Sequence, residues 1–224
     1  MNKKTCIVAS VILASFLMSY IDGIIAPSYI CRSCIKILMF LGIPMLYLCI
    51  YKEDQSKVKT LFTFEKKYFL LSLGLGMSVF LIVMLGYVLF KNYIDFNSIV
   101  SSLTGGIGVN AANFLYVAIY ISFINSLLEE IFFRGFSFML LKETSSKVFA
   151  YVFSSALFSF YHVGMTIGWF HPLVYILALL GLFVGGCIFD CLNEKCNSIY
   201  PSWLVHMFAN FAINTIGFML FGLL

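Results

Sequence analysis

Charged residues make up only 11% of the 224 residues, while apolar residues make up 62%; soluble domains run near 25% and roughly 45–50%. Too little polar material is present to cover the surface of a soluble fold of this length, and that excludes one. Prolines number four, and no repeat, low-complexity tract or linker divides the chain, so residues 1–224 read as one integral membrane domain. There are seven cysteines but one C-x-x-C pair, Cys31-Arg-Ser-Cys34, and a zinc ribbon needs two. Cys187 and Cys191 stand one helical turn apart in an apolar span, where cysteine commonly acts as a small hydrophobe. No H-E-x-x-H is present to mark a zinc protease helix.

What is present is long apolar sequence. Val148–Phe189 and, histidine aside, Ser198–Leu224 carry no charge, and about 20 apolar residues suffice for one helix to cross the hydrocarbon. Seven helices account for the chain, expected near Cys6–Ala26, Cys34–Tyr51, Tyr68–Phe90, Ala111–Leu141, Lys147–Gly164, Leu173–Cys191 and Ile199–Leu223. The fold class is therefore an all-α polytopic membrane bundle. The first span follows Lys3 and Lys4 as a signal peptide would, but its apolar run is longer and ends at Asp22, so it reads as retained.

Lysine and arginine set the expected orientation. Ten (Lys3, Lys4, Lys52, Lys57, Lys59, Lys66, Lys67, Lys142, Lys147, Lys195) fall on one side, and Arg32, Lys36 and Lys91 on the other. The ten-residue side is expected to be cytoplasmic, which makes the protein a multi-pass cell-membrane protein with its N-terminus inside and its C-terminus outside. The net charge of +4 then reflects topology and calls for no nucleic-acid partner. Helices one to three, nearly free of ionisable residues inside their expected limits, read as lipid-facing scaffold.

Helices four to seven differ. An ionisable residue inside a membrane helix costs about 2.5 kcal/mol or more and marks function, and these helices hold Glu129, Glu130, Arg134, His162, His206 and Asn210. Adjacent residues point about 100° apart on a helix, so Glu129 and Glu130 have separate roles; Glu130 and Arg134, four apart, can pair. Phe158 and His162, and likewise His206 and Asn210, share a face. At about 1.5 Å per residue, Glu129 lies about 20 Å from Lys142, His162 about 22 Å from Lys147 and His206 roughly 17 Å from Lys195. Three titratable groups thus reach similar depth. His171, beside Pro172 in a loop, fits an ordinary hydrogen-bonding histidine.

Glu129-Glu130-x-x-x-Arg134, Phe158-x-x-x-His162 and His206-x-x-x-Asn210, in this order on membrane helices, resemble the CAAX protease and bacteriocin-processing (CPBP, or Abi) intramembrane peptidases, which include the type II CAAX prenyl endopeptidases. Phe183-Val-Gly-Gly186 and Asn197-Ser-Ile-Tyr-Pro-Ser202 are similar to the family's third region. The resemblance spans residues 110–216, the expected catalytic core. It implies an endopeptidase acting on a membrane-associated or lipidated peptide or protein, with Glu129, Glu130, Arg134, His162, His206 and Asn210 at the site. A shielded carboxylate can act as general base on water, and imidazole or amide N–H groups can stabilise the oxyanion. Glu129, His162 and His206 also form a ligand set known for catalytic zinc, so zinc and a metal-free mechanism both stay open.

Two other classes compete. Buried Glu and His also mark transporters and proton relays, although no matched broken helices occur in two halves. A non-proteolytic immunity or scaffold role needs no hydrolysis. If the chain is a peptidase, water must reach the site, and Ser154, Ser155, Ser198 and Ser202 near the starts of helices five and seven suggest a cavity open to the cytoplasm, with Trp169 and Phe170 sealing the opposite end.

Overall fold

The computed structural model describes residues 2–224. Seven helices are long and apolar enough to cross a membrane: α1 (Lys3–Ile25), α2 (Tyr29–Ile50), α3 (Lys66–Tyr93), α4 (Phe114–Thr144), α5 (Lys147–Thr166), α6 (Pro172–Cys196) and α7 (Tyr200–Leu220). No strand forms among the described residues. The chain is an all-α polytopic bundle, as its composition requires.

Local chemistry starts and stops these helices. The Asn2 side chain accepts from the Thr5 N–H at 2.8 Å, and the Ser146 hydroxyl from Phe149 N at 3.3 Å, each satisfying an otherwise orphaned donor. Pro172 and Pro201 occupy the first turns of α6 and α7, where a missing N–H is no loss. Asn197 ends α6 in the left-handed conformation, φ 47°. Helix α2 begins at Tyr29, five residues before the sequence-based start, because the Ser28 side chain caps it. That shift brings Arg32 inside the helix with Lys36, and both are buried.

Helices α1 and α2 thus bury one face in the bundle, while residues such as Leu13, Phe16, Leu38 and Leu46 remain exposed. Ile7, Val11, Ala14 and Met18 form a fully buried stripe on α1 at the spacing of one helical face. They join a core with Phe40 of α2, Phe132, Phe133 and Leu141 of α4, and Tyr161 of α5, in which Phe40 stacks on Phe132 with centroids 4.3 Å apart. Helix α3 packs chiefly on α7 and otherwise presents residues such as Leu70, Leu81 and Ile82 outward. Two crossings near the site depend on a glycine. Gly164 of α5 lies against the Ser19 carbonyl of α1, leaving no room for a Cβ, and a Cβ on Gly186 of α6 would fall 2.9 Å from the Ser155 Cβ of α5. The α3–α4 and α5–α6 connections are tied together by Asp95 N to Trp169 O and His171 N to Tyr93 O, each 2.9 Å.

Candidate active site

The site is built on α4, which departs twice from regular winding: Tyr120–Asn125 and Glu130–Met139 are π-helical. Such turns loosen the backbone ladder and recur at functional sites. Side chains from neighbouring helices donate to carbonyls of this helix. From α7, Trp203 Nε1 reaches Phe123 O at 3.2 Å, Asn210 Nδ2 reaches Ile121 O at 3.1 Å and Asn214 Nδ2 reaches Ala118 O at 3.2 Å. From α5, Ser154 Oγ reaches Phe133 O at 2.9 Å. These contacts fix the rotation of α4 about the two glutamates.

Glu129 is buried at 1% exposure, and its two oxygens differ. Oε1 accepts from Asn125 Nδ2 and from the Tyr161 hydroxyl, both at 2.7 Å, and lies 3.5 Å from Lys36 Nζ. Oε2 has no hydrogen-bond partner and stands 3.6 Å from His206 Nε2. A buried acceptor left free is unusual enough to need a reason.

Glu130 does different work. Its Oε2 accepts from Ser202 Oγ at 2.5 Å and its Oε1 lies 2.9 Å from His206 Nδ1. Facing a carboxylate, Nδ1 carries the hydrogen, which directs His206 Nε2 toward Glu129. Arg134 NH1 is 3.7 Å from Glu130 Oε1, and Arg134 Nε is 3.6 Å from Asp190 Oδ1. The guanidinium is fully buried, has no hydrogen-bond partner and lies over the rings of Phe158 and Phe189, 4.0 and 4.9 Å from their centroids. Asp190 in turn accepts from Ser154 at 3.3 Å and Ser155 at 3.1 Å.

His162 is set one side chain further out. Its Nδ1 donates to Phe158 O at 2.7 Å, leaving a lone pair on Nε2. Among the described residues it makes no hydrogen bond or ion pair to Glu129 or His206; its ring meets Tyr161 at 4.5 Å and Phe158 at 4.9 Å, and Phe158 lies 5.8 Å from the His206 ring. Asn210 has one amide hydrogen engaged by Ile121, as above, and touches neither glutamate by hydrogen bond.

A zinc ion does not fit these side chains as they stand. No three His, Cys, Asp or Glu residues among the described ones are grouped to hold a metal, and the Lys36 ammonium 3.5 Å from Glu129 Oε1 would repel a cation at that oxygen. The serines expected to line a cytoplasmic cavity, Ser198 included, are buried. Ser154, Ser155 and Ser202 are fully buried and committed to Asp190 and Glu130. A pocket of roughly 270 Å³ does lie between the α2–α3 connection and the end of α4, but Ser56, Lys57, Thr60 and Glu143 are among its lining residues and it stops short of Glu129.

Four residues at this site were not singled out from sequence: Lys36, Asn125, Tyr161 and Asp190. Asp190 ends the uncharged run Val148–Phe189, and Tyr161 adjoins His162; both signals were present. Lys36 resembled an interfacial charge, and Asn125 gave no signal beyond its spacing of four from Glu129.

The family model for the type II CAAX prenyl endopeptidase Rce1-like proteins matches residues 110–212. Those residues comprise α4 to α6 and the part of α7 that carries His206 and Asn210. No curated protein and no solved structure matches the chain.

Proposed function

We propose that this chain, a member of the type II CAAX prenyl endopeptidase Rce1-like family and so a membrane protease, cleaves a peptide bond of a membrane-associated or lipidated substrate with Glu129 as its general base. The observation that carries the reading is Glu129 Oε2, a buried carboxylate oxygen with no hydrogen-bond partner, 3.6 Å from His206 Nε2. A water seated beside both atoms can lie about 2.8 Å from each. Glu129 takes a proton from that water as its oxygen bonds to the scissile carbonyl carbon. The proton then passes to the departing amine as the C–N bond breaks.

His206 lies between the carboxylates of Glu129 and Glu130, with Nε2 3.6 Å from one and Nδ1 2.9 Å from the other. A hydrogen on Nε2 can be donated to the developing oxyanion, and a preorganised donor of this kind is worth about 2.7–4 kcal/mol. His162, with Nδ1 donating to Phe158 O, has Nε2 left to orient water or the leaving amine. The second amide hydrogen of Asn210 is available to the oxyanion. No step is assigned to a metal. The lysine distribution supports a cytoplasmic N-terminus.

The test is hydrolysis of a fluorogenic peptide carrying a prenylated C-terminal CAAX sequence by the purified full-length chain. Wild type should cleave it, Glu129→Gln should not although it still inserts and folds, and phenanthroline should leave the wild-type rate unchanged. Cleavage by Glu129→Gln would refute the assignment of the base.

A further inference from the structure

Resting on this peptidase reading, we infer that Lys36 of α2 is a positioning residue of the active site, supplied from outside the segment that matches the family. Its side chain is buried, and its ammonium donates to Asn125 Oδ1 at 2.7 Å and to the Tyr161 hydroxyl. It also lies 3.5 Å from Glu129 Oε1. An ammonium has three hydrogens, and these three neighbours account for all of them. Two of the same neighbours, Asn125 and Tyr161, donate to the same Oε1.

The result is a closed polar knot around one oxygen of the base. With Oε1 held from three sides, rotation of the carboxylate is blocked, and Oε2 is left as the only oxygen able to take a proton. Without Lys36, Asn125 and Tyr161 lose the cation that orients them, and Oε1 loses its charge partner. The carboxylate can then turn and its free oxygen leaves the His206 side. Nothing in this arrangement makes Lys36 available to a ligand, so its role is to aim Glu129.

Two measurements test this on the full-length chain. The first needs no substrate: melting temperatures of Glu129→Gln, Lys36→Met and the double variant. Glu129→Gln leaves the buried Lys36 ammonium without the carboxylate 3.5 Å away, so the double variant should melt higher than the sum of the two single shifts predicts. Additive shifts would overturn the pairing. The second is hydrolysis of the prenylated fluorogenic peptide. Lys36→Met should lower kcat about 100-fold, the cost of a misplacement near 1 Å, with KM within a few-fold of wild type, and Lys36→Arg should recover part of the loss. A raised KM at unchanged kcat would overturn the positioning role. Non-additive melting in a wild-type chain that leaves this peptide intact would fault the peptidase reading while upholding the pair.

Discussion

Arg134 offers a sharp test of how the site is held, because it has two acids and no hydrogen bond. Its nitrogens lie 3.7 Å from Glu130 and 3.6 Å from Asp190, between the rings of Phe158 and Phe189. Each charge pair at such a distance is worth about 4 kcal/mol at an effective dielectric near 20, before desolvation is subtracted. If Glu130 were the only partner, Glu130→Gln would orphan a buried guanidinium and cost about 3–5 kcal/mol. With Asp190 in place, either acid can be lost and a one-to-one pair remains. Each single variant should therefore cost about 1–3 kcal/mol, the usual range for a buried group that loses one partner.

The double variant, Glu130→Gln with Asp190→Asn, removes the last counter-charge and should lose more than the two singles together. The coupling expected between neighbours in one network is about 0.5–3 kcal/mol. Melting followed by intrinsic fluorescence, at one scan rate and one detergent concentration, gives the comparison; those conditions matter because such unfolding is often irreversible. At about 2–4 °C per kcal/mol for a chain this size, the single shifts are several degrees. Additive losses, or a Glu130→Gln loss as large as that of the double variant, would show that Asp190 does not share Arg134.

Other consequences are simpler. Tyr161→Phe deletes a hydroxyl that donates to Glu129 Oε1 at 2.7 Å and should lower kcat about 10-fold, the equivalent of 1.36 kcal/mol; a change confined to KM would contradict it. Gly164→Ala forces a Cβ against the Ser19 carbonyl and should cost about 1–3 kcal/mol in a thermal melt, whereas Gly181→Ala, with open space around it, should be near neutral. Burial pushes the Asp54 carboxyl up, but hydrogen bonds from Lys3 and Tyr47 and the charges of Lys3 and Lys57 outweigh it and hold it below the usual carboxylate range. Its contribution is complete above its unfolded value, near pH 4, and is lost as pH falls through the lower folded value. Asp54→Asn should thus lower the melting temperature at neutral pH, by a gap that closes in strong acid; a gap that persists there would refute the pairing.

The legible part of the fold was the part with charges in mid-span. Glu129, Glu130, Arg134, His162 and His206 sit in mid-span, so their presence on helices four to seven marked a candidate site. Lys36 and Asp190 were harder for one physical reason: both lie near helix ends. A long lysine stem near an end can snorkel to the interface, and Asp190 stands four residues before Glu194 and five before Lys195, in what reads as a polar terminus. The pattern of residues does not say which way such a side chain turns. The π-helical turns of α4 were illegible too, since they arise from donors on α5 and α7 that claim its carbonyls, a tertiary cause with no local signature.

The inward turn of Lys36 and Arg32 also bears on orientation. Both counted with Lys91 against ten basic residues on the other side. Yet Lys36 faces Glu129, and Arg32 Nε lies 3.1 Å from Asp22 Oδ1 with both side chains buried. A basic group neutralised inside the bundle is not a free charge held back at one face of the membrane, which is the physical basis of the positive-inside bias. Removing both leaves Lys91 alone opposite the ten. The asymmetry behind the proposed cytoplasmic N-terminus is therefore steeper than residue counting made it. Lys3 stays with the ten, because its ammonium is bound at the bundle's end by Asp54 at 2.8 Å and Glu53 at 3.0 Å. Both acids belong to the α2–α3 connection, so the N-terminus and that connection must lie on one side whichever side that is, and the lysines of the connection carry the N-terminus with them.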